Sequence, residues 1–207
     1  MQVALIRHGQ IPGNVERRYV GTTDESLTEI GRQQASSLAA PEANKVFASP
    51  YKRCIETAKL VYPSIEPTIV DGLKEMDFGL FENKSADEMV NFKPYRDWVD
   101  GMCMGKIPEG ESREEFDERV CAAFVRIVEK CRHSDKIALV VHGGTIMSIM
   151  GAFNDEGKSY FEYHVGNCGT IVCNLDRAGT SAGDGHRRGY VLHRIDGGST
   201  KGTLPPK

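Results

Sequence analysis

No apolar run in this chain approaches the roughly 18 residues that a membrane-spanning helix needs. Its opening residues, Met1-Gln2-Val3-Ala4-Leu5-Ile6, meet a charge at Arg7. The basic region and long apolar stretch of an export signal are therefore missing. The six cysteines include no Cys-x-x-Cys pair. In a chain without an export signal that pattern points to reduced core thiols rather than a disulfide framework, and a cytoplasmic location is expected. A basic surplus is also missing: the formal net charge is -3, so neither a nucleic-acid nor a membrane partner is expected, and any anion site must be built locally. Gly101–Ile107 lacks the spacing and hydroxyl of a phosphate-binding P-loop, and Gly183-Asp184-Gly185 follows no apolar strand as a dinucleotide fingerprint would. No His/Cys/carboxylate group has zinc spacing, so no metal is expected. Neither a linker nor an internal repeat interrupts 207 residues, which predicts one domain over 1–196 and a loose tail over 197–207.

What is present is an alternation of strand-like and helix-like segments. Gln2–Ile6, Lys45–Ala48, Glu66–Val70 and Ile137–Val141 read as strands, and Thr170–Leu175 with Tyr190–Ile195 as a late pair joined by a Gly-rich loop. Helical patterns run from a Thr28 cap to Leu38, with Ile30, Gln34 and Leu38 on one face. Further ones run from a Ser49 cap with Pro50 at the first position to about Val61, over Arg113–Arg132, and from about Ile146. The stretch 76–112 is mixed, with helical pieces near Ser85–Phe92 and Tyr95–Val99, and is expected to form a small cap. The pattern predicts an α/β fold: a three-layer α/β/α sandwich around a mostly parallel sheet.

Ligands of such sheets bind beyond the carboxyl ends of the strands. Three of these ends are unusual: Arg7-His8-Gly9, Ser49-Pro50 leading to Lys52 and Arg53, and His142-Gly143-Gly144. A cation such as Arg53 in a helix's first turn opposes the helix dipole, a conflict that a bound anion removes. Arginine also matches phosphate oxygens bidentately, and the glycines after the histidines expose backbone N–H groups toward the same anion. A neutral histidine whose other ring nitrogen is fixed as a donor can attack phosphorus. The acid that protonates the leaving oxygen would be Glu75. Each of these elements alone is compatible with a solvated turn or a surface charge; their shared edge is the signal.

These blocks resemble the histidine phosphatase superfamily, in its phosphoglycerate-mutase-like branch. The resemblance rests on Leu5-Ile6-Arg7-His8-Gly9-Gln10 with Asn14, and on Gly21 with Leu27–Gly31 and Gln34-Ala35. It rests also on Ala48–Ala58, Leu73–Glu82 and Val140–Gly144. It implies His8 as the phosphorylated nucleophile, Glu75 as the acid and then the base, and Arg7, Arg53 and His142 around the phosphate. Asn14, Gly21 and Gly143 would contact substrate, and no metal or organic cofactor is implied. Ile11 departs from the small hydroxyl residue common there, and Asn83 from a Trp-Glu-Gly run.

Within that family the cap residues Lys84, Lys93, Arg96 and Lys106 include no adjacent arginine pair. The run Pro108–Ser112 leading to Phe116 and Arg119-Val120 resembles the phosphatases, α-ribazole-phosphate phosphatases among them. A phosphomonoester hydrolase acting on a small metabolite, α-ribazole phosphate or a phosphosugar, is expected; phosphoglycerate mutase is the alternative. A non-catalytic phosphoester-binding module is the reading from another class. Tyr95 and Trp98 either face substrate or pack the cap. The remaining histidines, His133, His164, His186 and His193, read as surface or loop residues. Nothing in the sequence sets an oligomeric state.

Overall fold

In the computed structural model, residues 1–177 and 189–195 are described. The strands are β1 (Gln2–Arg7), β2 (Lys45–Ala48), β3 (Thr68–Ile69), β4 (Lys136–Val141), β5 (Thr170–Arg177) and β6 (Tyr190–Arg194). The helices are α1 (Pro12–Val15), α2 (Glu29–Ser36), α3 (Lys52–Val61), α4 (Lys93–Asp100), α5 (Arg113–Glu129) and α6 (Gly143–Phe153). One sheet runs in the order β3-β2-β4-β1-β5-β6. Its first four members are parallel; β5 is antiparallel to β1, and β6 to β5. The Gly-rich loop expected after β5 and the tail 197–207 lie outside the described residues.

The unbroken apolar runs of β1 and β4 hide an alternation of size. Val3, Leu5, Ile137, Leu139 and Val141 join Phe116, Phe124, Ile149 and Phe153 of α5 and α6 in one core. On the opposite face Ala4, Ile6, Ala138 and Val140 meet Ala35 of α2 and Cys54 and Ala58 of α3. Side chains on a strand alternate between faces, so one run serves two cores, and the result is the expected α/β/α layering. The small face lets α2 and α3 approach the sheet closely.

Several boundaries differ from the sequence expectation. Helix α2 ends at Ser36, and its buried face is Gly31 and Ala35, while Ile30 is 55% exposed. The reason is backbone proximity: a Cβ on Gly31 would stand 2.1 Å from the Gln10 carbonyl oxygen, so no larger residue fits facing the sheet. Ser49 and Pro50 do not open α3. Its N-cap position is Tyr51, and the Lys52 amide donates to Asp24 Oδ1 at 2.7 Å, so a distant carboxylate takes the capping role. Strand β3 shrinks to two paired residues at the sheet edge. Helix α6 begins at Gly143, three residues before Ile146, because both glycines are helical. Within the cap, Asp87–Met89 is a single 3-10 turn, and α4 starts at Lys93 with Pro94 in its first turn.

Candidate active site

The sheet order places β2, β4 and β1 side by side, so three carboxyl ends meet at one edge. Register fixes the detail: Arg7 is paired with Val141, and the His8 amide donates to the Val141 carbonyl at 2.9 Å. His8 and His142 are thereby neighbours, their rings edge-to-face with centroids 5.3 Å apart. Both are buried.

His8 Nδ1 lies 2.7 Å from its neighbour's carbonyl, Gly9 O. A carbonyl only accepts, so Nδ1 carries the proton and Nε2 keeps its lone pair. Burial first, then the Arg7 and Arg53 charges, hold the His8 pKa well below the usual histidine range, so the ring is neutral at pH 7. The Gly9 amide does not point at an anion, as the sequence suggested; it donates to Thr57 Oγ1 at 3.0 Å, and Thr57 donates to Arg53 O at 2.7 Å. Helix α3 thus grips the turn that carries His8.

The tautomer of His142 is fixed by the same logic. Arg53 Nε donates to its Nδ1 at 3.2 Å, so its Nε2 is the protonated nitrogen and donates to Ser49 Oγ at 2.7 Å. Burial and the neighbouring Arg53 keep this ring neutral too. Arg53 is fully buried and also donates to Thr23 O at 2.7 Å and Gly21 O at 2.9 Å. Tyr51 covers it, with the guanidinium carbon 4.5 Å from the ring centroid, and stands edge-on to His142. Three of the five N–H groups of Arg53 are engaged, and two are left for an anion.

Arg7 donates to Val165 O at 2.8 Å, while its buried Nε has no hydrogen-bond partner among the described residues. Burial lowers its pKa, with Glu75 opposing. Glu75 sits opposite, its carboxylate accepting from the Gly144 amide at 3.0 Å and the Met76 amide at 3.1 Å. Burial pushes the Glu75 carboxyl above the usual carboxylate range, against those amides and the two arginines. A raised carboxyl is the state that can give up a proton.

The expected substrate contacts fare unevenly. Asn14 Oδ1 is occupied by the Ile11 amide and by Asn167 Nδ2, so only its amide nitrogen would be left to serve an anion. Gly21 is a strut: its amide donates to Glu82, which also holds the Thr23 amide, and its carbonyl receives Arg53. A Cβ on Gly143 would meet only ordinary contact with the Arg7 guanidinium, at 3.7 Å, whereas the Gly144 amide donates to Glu75. Tyr95 and Trp98 pack the cap, in an aromatic cluster with Tyr19 and Phe81, and Arg96 points to solvent. His133 is exposed, but His164 is half-buried, its Nδ1 without a partner among the described residues, and His193 pairs with Asp155; His186 lies outside the described residues.

Sequence reasoning missed Ser49 as the partner of His142, Thr57 as the anchor of Gly9, and Asn167, which donates to His8 O at 3.2 Å. Ser49 and Thr57 lie in the Ala48–Ala58 block and were within reach. Asn167 stands in a loop before an antiparallel strand, where no pattern marks it. A separate groove of about 450 Å³, between α5 and the β3 edge, is lined by Phe47, Gly72 and Ile127 and is no part of this site. No cluster of metal-ligating groups occurs, and no helix is long and apolar enough to cross a membrane, among the described residues.

Comparison with known proteins places the chain in a family. The probable phosphoglycerate mutase GpmB of Escherichia coli O1:K1 is 34% identical over 154 residues, 69% of this chain and 70% of its own. The protein of the same name from Salmonella arizonae is 33% identical over 151 residues. TTHB049 from Thermus thermophilus superposes with a TM-score of 0.67 at 27% identity, over 83% of this chain and 92% of that one. The alpha-ribazole phosphatase from Shigella flexneri has the same fold, with a TM-score of 0.76 at 23% identity over 94% and 96% of the two chains. The model of the histidine phosphatase superfamily, branch 1, matches residues 3–183, and the chain belongs to that superfamily.

Proposed function

We propose that this chain hydrolyses small phosphomonoesters through a phosphohistidine formed at Nε2 of His8. The observation that carries the reading is the His8 Nδ1 to Gly9 O bond of 2.7 Å, which leaves Nε2 as a free nucleophile between two guanidinium groups. The substrate's phosphoryl group would sit against Arg7, Arg53 and the N-terminus of α6, where charge spread over its oxygens is neutralised. His142 acts by holding Arg53, since both of its ring nitrogens are engaged within the protein.

In the first step the His8 Nε2–P bond forms as the P–O ester bond breaks, and the Glu75 proton goes to the departing oxygen. In the second step the Glu75 carboxylate takes a proton from water while the water oxygen attacks phosphorus and the N–P bond breaks. Release of phosphate returns His8 neutral and Glu75 protonated. The Pro108–Ser112 run and a cap without paired arginines favour a hydrolase over a mutase, with α-ribazole phosphate or a phosphosugar as substrate.

The observation that favours the mutase reading is the likeness to relatives named probable phosphoglycerate mutases. Steady-state assays over p-nitrophenyl phosphate, α-ribazole phosphate, phosphosugars and phosphoglycerates, with and without a bisphosphoglycerate primer, separate the two. Primer-independent phosphate release is expected, with an acid-labile phosphoenzyme on rapid quench that His8→Ala abolishes. Primer-dependent phosphate shuttling would favour the mutase, and a phosphoenzyme persisting in His8→Ala would refute the nucleophile.

A further inference from the structure

The loop 72–77 carries Glu75 but contributes little to its own rigidity. It is a 3-10 turn at Asp71–Leu73 followed by residues outside helix and sheet. Its backbone is held mainly by one side-chain pair, Arg119 of α5 and Glu111 at the end of the cap stretch, with Thr145 Oγ1 of α6 also donating to Leu73 O at 3.4 Å. Arg119 of α5 donates through Nη1 to Gly72 O at 3.2 Å and Lys74 O at 3.1 Å, and through Nη2 to Glu75 O at 3.3 Å. Its other edge is locked bidentately on Glu111, with Nε to Oε1 at 2.9 Å and Nη2 to Oε2 at 2.7 Å. Glu111 Oε2 accepts the Asp77 amide at 3.0 Å, and the Glu111 amide donates to Asp77 O at 2.9 Å. At the loop's start, Gly72 lies so close to α5 that a Cβ there would stand 2.7 Å from Ala123 Cβ.

We infer that the Arg119–Glu111 pair is the positioning device of the Glu75 acid, an assignment that rests on the hydrolase reading above. Of the two amides on the Glu75 carboxylate, Met76 N travels with the loop, and only Gly144 N reaches it from α6, whose Thr145 otherwise meets the loop at Leu73 O. The distance between Glu75 and the leaving oxygen is therefore set by where the loop backbone lies. A planar guanidinium that meets three carbonyls and a carboxylate at once fixes that backbone in a way an ammonium cannot. Neither residue reaches the reacting atoms: Arg119 grips the backbone side of the loop and borders the groove between α5 and β3.

Removing the device should copy the loss of the acid rather than the loss of the phosphate pocket. An ill-placed acid matters most for alkyl phosphates, whose leaving oxygen needs a proton, and least for p-nitrophenyl phosphate. Arg119→Gln is expected to lower kcat/KM, which reports the step that expels the leaving oxygen, on an alkyl phosphate on the order of 10-fold or more beyond its effect on p-nitrophenyl phosphate. In a Glu75→Gln background, Arg119→Gln should add no further leaving-group dependence.

Equal losses in kcat/KM on both substrates, or the full dependence added again on top of Glu75→Gln, would overturn the inference. If Glu75→Gln itself shows no leaving-group dependence, the acid assignment fails; if that variant shows it and Arg119→Gln does not, the clamp alone fails. Should Arg119→Gln not yield folded protein by circular dichroism, Arg119→Lys, which keeps the charge but cannot meet the three carbonyls and Glu111 at once, carries the same comparison.

Discussion

At the scale of single residues, the site is an arrangement of proton locations. His8 is neutral with the proton on Nδ1, His142 is neutral with the proton on Nε2, and Glu75 is biased toward its acid form. These states give the pH profile its signs. His8, depressed by burial and two arginines, protonates only below the usual histidine range, so activity falls there on the acid side. Glu75, raised by burial, loses its proton above the usual carboxylate range, so activity falls as pH rises through that raised value.

A bell-shaped kcat/KM profile on alkyl phosphates is expected, with Glu75→Gln removing the alkaline limb along with most of the rate. A limb that survives in that variant would assign it to another group. That the two histidines would meet at one sheet edge was legible in the sequence, because strand ends and glycine turns mark them. Their tautomers were not, because those depend on Gly9 O, Ser49 Oγ and Arg53 Nε meeting in space.

At the scale of elements, the histidine turn is held from two sides by close packing. A Cβ on Gly9 would stand 2.5 Å from the Gly31 carbonyl oxygen of α2, and one on Gly31 2.1 Å from Gln10 O. Both partners are backbone and cannot swing aside. Gly31→Ala should therefore cost about 1–3 kcal/mol in denaturant unfolding and lower activity, by pushing α2 off the turn. Thr57→Val removes the acceptor of the buried Gly9 amide and should cost a similar amount, about 1–3 kcal/mol. A Thr57→Val protein as stable and active as the parent would show that this amide finds another partner.

The strands and most helices were legible from periodicity and caps; Thr28 does accept the Gly31 amide as its position implied. What failed was local chemistry overridden from afar. Ser49 has the sequence of a helix cap, yet its hydroxyl serves His142, and Asp24 caps α3 instead. The apolar spacing of Ile30 and Leu38 suggested a face that backbone crowding at Gly31 excludes.

At the scale of the whole molecule, the site is gathered from both ends of the chain. Arg7 holds Val165 O, 158 positions away, and Asn167 holds His8 O. The sheet layering and the site's edge were legible from the alternation of elements. Within the cap the packing of Tyr95 and Trp98 was legible from their spacing, but the path of the chain was not, because 3-10 turns carry no sequence period. Contacts so distant in sequence close late in folding, since loop closure must be completed before they contribute. On dilution from denaturant, helical circular dichroism should recover first and hydrolysis only with the final phase. Activity returning in step with the earliest helical signal would contradict this order.

The chain has one tryptophan, and it stands in the cap among Tyr19, Phe81 and Tyr95. The protein thus carries a single indole fluorophore, placed in the segment that borders the site rather than in the sheet. Its emission reports the packing of the cap without any added label, and a shift on titration with inorganic phosphate would read cap movement directly, apart from turnover.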